Sequence, residues 1–131
     1  MNVLTRKDIH EPLAVCYDTQ IDCVLATVMG EISRKLVADF YTEIGRVADE
    51  NKCTRVLTDL RNAKAAITSF DLYFEITDLN RKKILETFKR AVVIARDEEL
   101  FAFWENASIN LGYENVKVFR DYDAALKWVV M

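Results

Sequence analysis

The chain has 131 residues, of which 51% are apolar and 30% charged, and its net charge is −3. That length suits one domain with a core that needs neither disulfides nor metal, and the composition is ordinary for a globular protein. The charge balance argues against nucleic acid as a partner, and no apolar run approaches the roughly 18 residues of a membrane span. The first residues, Met-Asn-Val-Leu-Thr-Arg-Lys-Asp, contain no apolar signal-peptide region, so the expected location is cytoplasmic.

Residues 1–11 are polar and unpatterned and read as a loosely held lead-in. Leu13 to Tyr17 and Cys23 to Met29 are short runs rich in Val, Leu and Cys around a polar turn, the pattern of an antiparallel hairpin. Gly30 is read as its end. Ser33 is placed to cap a long helix, with Ile32 and Val37 as a hydrophobic staple around the cap. Leu36, Phe40, Ile44 and Val47 recur at helical spacing and give that helix its apolar stripe.

The stretch from Asn51 to Tyr73 carries a short buried strand at Arg55 to Asp59, built on Val56 and Leu57. Asp59 and Arg61 are expected to emerge at its carboxyl end, the usual position of a site in α/β proteins. Thr68 with Asp71 forms a capping-box-like pair at the next helix, and Ser69 is the alternative cap. That helix runs through Ile76 and Leu79 into Arg81-Lys82-Lys83. Ala91 to Ala95 is almost wholly apolar, as a strand buried on both faces should be. Asp97 caps a helix with Leu100, Trp104, Ala107 and Leu111 on its buried side, and Gly112 stops it. Val116 to Phe119 is the last strand. Asp121 caps a final helix, where Trp128 should cover the sheet edge.

The order is β-β-α-β-α-β-α-β-α in one α/β domain over 1–131. It implies a mostly parallel sheet of about five strands, one of them an antiparallel edge strand, with helices mainly on one face. The expected core is Val24, Leu25, Leu36, Phe40, Ile44, Val56, Leu57, Val92, Val93, Trp104, Val116 and Phe119. Apolar residues such as Leu25 and Val93 suggest that the second sheet face is also buried, either by the N-terminal segment or by a second subunit; a homodimer is the preferred reading.

Arg-Val-Leu-Thr-Asp-Leu-Arg at 55–61, Lys-Arg-Ala-Val-Val-Ile at 89–94 and Asn-Leu-Gly-Tyr…Val-Lys-Val-Phe…Ala-Leu-Lys-Trp at 110–128 resemble a STAS-like domain. The likeness runs over nearly the whole chain from about Leu13, and is strongest to small stand-alone bacterial proteins grouped with anti-sigma-factor antagonists and lipid-transfer-like relatives. It implies a regulatory, protein-interaction domain rather than an enzyme. The alternative is a binding module for a small apolar or lipid-like ligand. Signalling members carry Asp-Ser-Ser-Gly-Leu, with the phosphorylated serine, where this chain has Ile67-Thr68-Ser69-Phe70-Asp71. A hydroxyl is present, but the glycine, the leucine and the preceding acid are not.

Enzymatic constellations are absent from the sequence. His10 is the one histidine, there is no metal-ligand spacing, and three isolated glycines cannot build a phosphate-cradling loop. No cofactor or metal is expected. Asp59, Arg61, Thr68, Ser69 and Arg96 are the candidate switch or anion site, at one rim of the sheet. Asp97, Asp121 and Arg120 share that rim, and cap roles already account for Asp97 and Asp121. Lys82 and Lys83 lie in a basic stretch with Arg81, Lys89 and Arg90, and Phe101 does not fit the buried stripe of its helix. These are candidate surface contacts. The three cysteines, Cys16, Cys23 and Cys53, read as buried reduced thiols, with a Cys16–Cys23 pair across the hairpin as the alternative.

Overall fold

The hairpin that opens the fold pairs β1 (Leu13–Asp18) with β2 (Cys23–Ile32), antiparallel, in a register that sets Leu13 opposite Val28 and Asp18 opposite Cys23. The structure is a computed structural model, and it describes residues 12–65, 88–95 and 115–131. The lead-in over 1–11 lies outside the described residues, as do the expected helices between Thr68 and Phe88 and between Asp97 and Gly112. In the turn, Asp22 takes a positive φ of 51°. Its carboxylate accepts from the Tyr17 hydroxyl at 2.6 Å, and Asp18 accepts from the Gln20 amide at 2.9 Å. Short polar side chains thus close the turn on its own backbone.

Ser33 caps α1 (Arg34–Asn51) as its position predicts, its hydroxyl accepting from the Leu36 amide at 3.1 Å. Ile32 and Val37, the staple pair, are both buried. The helix ends at Lys52, whose φ of 50° and ψ of 45° are left-handed, and its amide returns to the Ala48 and Asp49 carbonyls. Val37, Tyr41, Ile44, Val47 and Ala48 are the fully buried stripe. Leu36 and Phe40 are half-buried and pack at its margin. The buried face is therefore turned by about one position from the expected one, towards the staple residue.

β3 (Arg55–Ala65), β4 (Lys89–Val93) and β5 (Val116–Phe119) complete a five-stranded sheet in the order β1-β2-β3-β4-β5. All pairs after the hairpin are parallel. The expected sheet, with its one antiparallel edge strand, is the observed one. Two strands are longer than the sequence suggested. β2 runs through Gly30, which sits inside the strand at a φ of 83°, and ends at Ile32 rather than Met29. β3 continues six residues past Asp59, because β2 goes on pairing with it as far as Ile32 against Ala65. Polar residues at Asn62 and Lys64 suggested a loop, but a two-stranded ribbon open to solvent tolerates them.

α2 (Tyr122–Val130) is capped by Asp121, whose carboxylate accepts from the Asp123 amide at 3.0 Å. The two described helices take opposite faces. α1 lies over Val24, Ala26, Val28, Val56, Val92 and Val116, whereas α2 brings Ala125 and Val129 onto Cys23, Leu57, Ala91 and Val93. Alternation along each strand produces both cores, since successive side chains point to opposite faces. Leu25 packs against the second core, opposite Leu57 in the β2–β3 register. The face that suggested a second subunit is thus covered by the chain's own C-terminal helix. Of the expected core, Val24, Ile44, Val56, Leu57, Val92, Val93 and Val116 are buried, Leu25 and Phe119 are half-buried, and Trp104 lies outside the described residues.

Candidate functional site

Asp59 is the last residue of β3 that pairs with β4, opposite Val93. Beyond it β2 is the one described strand beside β3, so Asp59 and the residues after it stand on a ledge above the ends of β4 and β5. At that point the β2–β3 register slips. Thr27 is opposite Asp59 but Met29 is opposite Asn62, so β3 spends three steps where β2 spends two. This is a β-bulge, a feature that re-aims side chains near functional sites.

The bulge brings Asp59 and Arg61 together. The Arg61 amide donates to Asp59 Oδ1 at 3.0 Å, Nε donates to the same oxygen at 2.9 Å, and Nη2 donates to Oδ2 at 2.8 Å. The Asp59 side chain is 16% exposed and that of Arg61 is 45% exposed. The Arg61 guanidinium also lies 5.0 Å from the ring centre of Tyr122, the first residue of α2. Burial pushes the Asp59 carboxyl up, but the Arg61 side chain, its amide and its charge together outweigh that and hold the group below its ordinary value. Hydrogen bonds to Asp59 raise Arg61. Burial raises the Tyr122 phenol, and the nearby Asp59 charge adds to the effect.

Chemically this is a recognition arrangement. Asp59 is ionised and already accepts three hydrogen bonds, so it is a poor general base. Arg61 is held by Asp59 through Nε and Nη2 and lies over the Tyr122 ring, with its side chain 45% exposed. Fixing a long side chain in this way removes rotamer entropy before any partner arrives. Among the described residues there is no group of three or more His, Cys, Asp or Glu side chains that could hold a metal.

The structure brings Asp59 and Arg61 together, with Arg61 inside β3 rather than in the loop expected after Asp59. Thr68, Ser69, Arg96, Lys82, Lys83 and Phe101 lie outside the described residues. Tyr122 was missed as a site residue; its signal was an aromatic directly after the Asp121 cap. Arg90 does not belong to a surface patch. It is 4% exposed, donates to the Tyr41 hydroxyl at 3.3 Å and lies over the Tyr41 ring. Lys89 lies 4.6 Å over the ring of Trp128, which in turn packs on Phe119. Strand alternation separates these two neighbours, sending Arg90 under α1 and Lys89 towards α2.

Cys16, Cys23 and Cys53 are not in disulfides. Cys16 stands opposite Leu25, not Cys23, so the hairpin does not pair them directly. Cys23 is fully buried, and burial pushes its thiol up to about 12. Cys53 is also raised, mainly by burial.

No protein-family model matches this sequence, and no curated protein matches it significantly. Solved structures do. The anti-sigma factor antagonist SpoIIAA in its unphosphorylated form superposes with a TM-score of 0.56 at 11% identity, over 88% of this chain and 94% of that one. The fold is STAS-like. A second structure agrees: an uncharacterised protein of the DUF3478 family from Shewanella loihica, described as having a SpoIIAA-like fold, superposes with a TM-score of 0.51 at 15% identity. That match covers 89% of this chain and 91% of the other. At such identities the likeness concerns the STAS-like fold alone. No described helix is long and apolar enough to cross a membrane.

Proposed function

We propose that this STAS-like chain is a non-enzymatic regulatory domain that acts by binding another protein, and that it does so without the usual phosphorylatable Ser-Gly-Leu signature. The observation that carries this reading is the Arg61 guanidinium, held by Asp59 and Tyr122 on the ledge of β3 in a side chain that stays 45% exposed. A preset cation next to an aromatic ring is a common anchor of protein contacts. It leads directly into the segment that contains Thr68 and Ser69, where the STAS resemblance places the signalling serine. SpoIIAA, an anti-sigma factor antagonist, supports the regulatory class by its fold. In this reading Thr68 serves first as an uncharged helix cap, and Arg96 joins the same rim.

The test is affinity capture from lysate with wild type, Arg61→Ala, Thr68→Asp and Ser69→Asp, each checked for folding by circular dichroism. Loss of a partner with Arg61→Ala supports the interaction site. Identical partner lists for wild type, Thr68→Asp and Ser69→Asp remove any switch at those hydroxyls. Native mass spectrometry of freshly purified protein separates this reading from an apolar-ligand carrier, which should retain a co-purifying lipid. A homodimer is not needed to cover the Leu25 and Val93 face, and light scattering at tens of micromolar distinguishes monomer from dimer.

A further inference from the structure

β1 is an edge of the sheet, with β2 as its one described neighbour. The Pro12 carbonyl accepts from the Met29 amide at 2.9 Å, which makes Pro12 and Met29 a hydrogen-bonded position of the ladder. Such positions alternate along an antiparallel pair, so Ala14, Cys16 and Asp18 turn their backbone groups towards β2. Leu13, Val15 and Tyr17 turn theirs outward, where no described strand meets them. Leu13–Asp18 contains no lysine and no proline, two common devices that keep another strand from adding to an edge.

Beside this edge lies a cleft of about 440 Å³, lined by Leu13, Ala14, Val15, Asp39, Thr42 and Glu43. It sits between β1 and α1. Outward backbone groups next to a side-chain cleft are the two requirements for strand addition: the backbone supplies affinity and the cleft reads alternate side chains.

The lining also selects the occupant. Leu13, Val15 and Thr42 suit an apolar side chain, while Asp39 and Glu43 supply two carboxylates and no cation is among the described lining residues. Asp39 pairs with Lys35 at 2.7 Å and Glu43 with Arg46, but these side chains are 37% to 85% exposed. Exposed pairs hold weakly, so an incoming cation displaces them at little cost. A second copy of this chain fits worse, because a two-fold axis perpendicular to the sheet beside β1 would pair the two β1 strands antiparallel with both α1 helices on one face, and so turn the Asp39 and Glu43 carboxylates of the two copies towards each other.

We propose that β1 and its cleft receive an extended segment of a partner protein, which adds a strand outside β1 and carries an apolar and a basic side chain two positions apart, both on the face turned to the cleft. This rests on the reading of the chain as an interaction domain and gives it a contact separate from Arg61. The incoming backbone pairs with the amides and carbonyls of Leu13, Val15 and Tyr17. Its inward side chains enter the cleft and meet Asp39 and Glu43.

The test pans a displayed library of short random peptides against the purified full chain, then measures the enriched peptides by calorimetry and maps them by amide NMR. Enriched sequences should carry an apolar residue and a Lys or Arg two positions apart, and binding should shift and protect the amides of Leu13, Val15 and Tyr17. Thr42→Trp, which fills the cleft, and the double variant Asp39→Lys with Glu43→Lys should each weaken binding by about tenfold or more. Lys117→Ala, on the opposite edge strand, should bind as wild type. Should Thr42→Trp fail to fold, the charge variant decides. The proposal is overturned by enrichment without that pattern, by shifts centred on Asp59 and Arg61, or by equal binding to the charge variant. It is also overturned if those amides are protected in the free chain at high dilution, which assigns the edge to residues 1–11, or only at high concentration, which assigns it to a second copy. If peptide binding fails while partner capture still depends on Arg61, the interaction-domain reading stands and this one falls.

Discussion

The Asp59 carboxylate closes on Arg61 from both sides of the peptide: Oδ1 accepts from the Arg61 amide at 3.0 Å and from Nε at 2.9 Å, while Oδ2 accepts from Nη2 at 2.8 Å. The amide that bonds to Oδ1 lies where the β2–β3 ladder slips by one residue. Side chain and bulge therefore support each other. The exposed guanidinium tempers the charge contribution, so the hydrogen bonds to a half-buried carboxylate carry most of the effect. Asp59→Ala should destabilise by about 1–2 kcal/mol in urea unfolding, and Arg61→Lys should keep less than half of the stability that Arg61→Ala loses because lysine cannot form the planar two-point contact.

The same pair predicts a pH dependence. Arg61 lowers the folded-state pKa of Asp59 below its unfolded value. A carboxylate of this kind contributes stability that is fully present above the unfolded value, about 3.9, and is lost as pH falls through the folded one. Wild type should therefore lose more stability than Asp59→Asn on going from about pH 5 to about pH 2. Parallel acid-unfolding curves for the two proteins would remove this role for Asp59.

Lys52 ends α1 in the left-handed region at a φ of 50°. A side chain there pays a steric cost that glycine does not. Lys52→Gly should stabilise the protein by roughly 0.5–1 kcal/mol despite the added freedom of the unfolded chain. At the other end, Ser33→Ala should cost about 1 kcal/mol through loss of the bond to Leu36, and Ser33→Asp should cost little.

Ile44 lies in the core under α1 and Leu57 in the core under α2, and both are 1% exposed. Ile44→Ala and Leu57→Ala should each cost about 2–5 kcal/mol. Because both cores rest on one sheet, each variant should still unfold in a single transition. A separate early transition in Leu57→Ala would show that α2 docks independently.

Cys23 is fully buried with its thiol raised to about 12, so it carries almost no thiolate at neutral pH. Under native conditions an alkylating reagent should label Cys16 before Cys23. Denaturant should expose all three thiols equally. Rapid native labelling of Cys23, read by peptide mass spectrometry, would contradict its burial.

Much of this protein was legible in the chain itself. The hairpin, the Ser33 and Asp121 caps, the wholly apolar β4 and the parallel strand order come from local signals: alternation, cap chemistry and helical spacing. These depend on residues within a few positions of one another. That Asp59 and Arg61 stand at the end of one strand segment was legible for the same reason, since they are two residues apart. What local signals could not supply was partnership across the fold. β3 is long because β2 continues beside it to Ile32, which no feature of Asn62 or Lys64 announces. Tyr122 meets Arg61 because α2 lies back across the face that carries Leu57, and that same packing covers the apolar face containing Leu25 and Val93. The cleft beside β1 likewise exists only where α1 crosses the edge strand. Contacts between residues tens of positions apart are set by how whole faces bury together, and only the tertiary structure decides that.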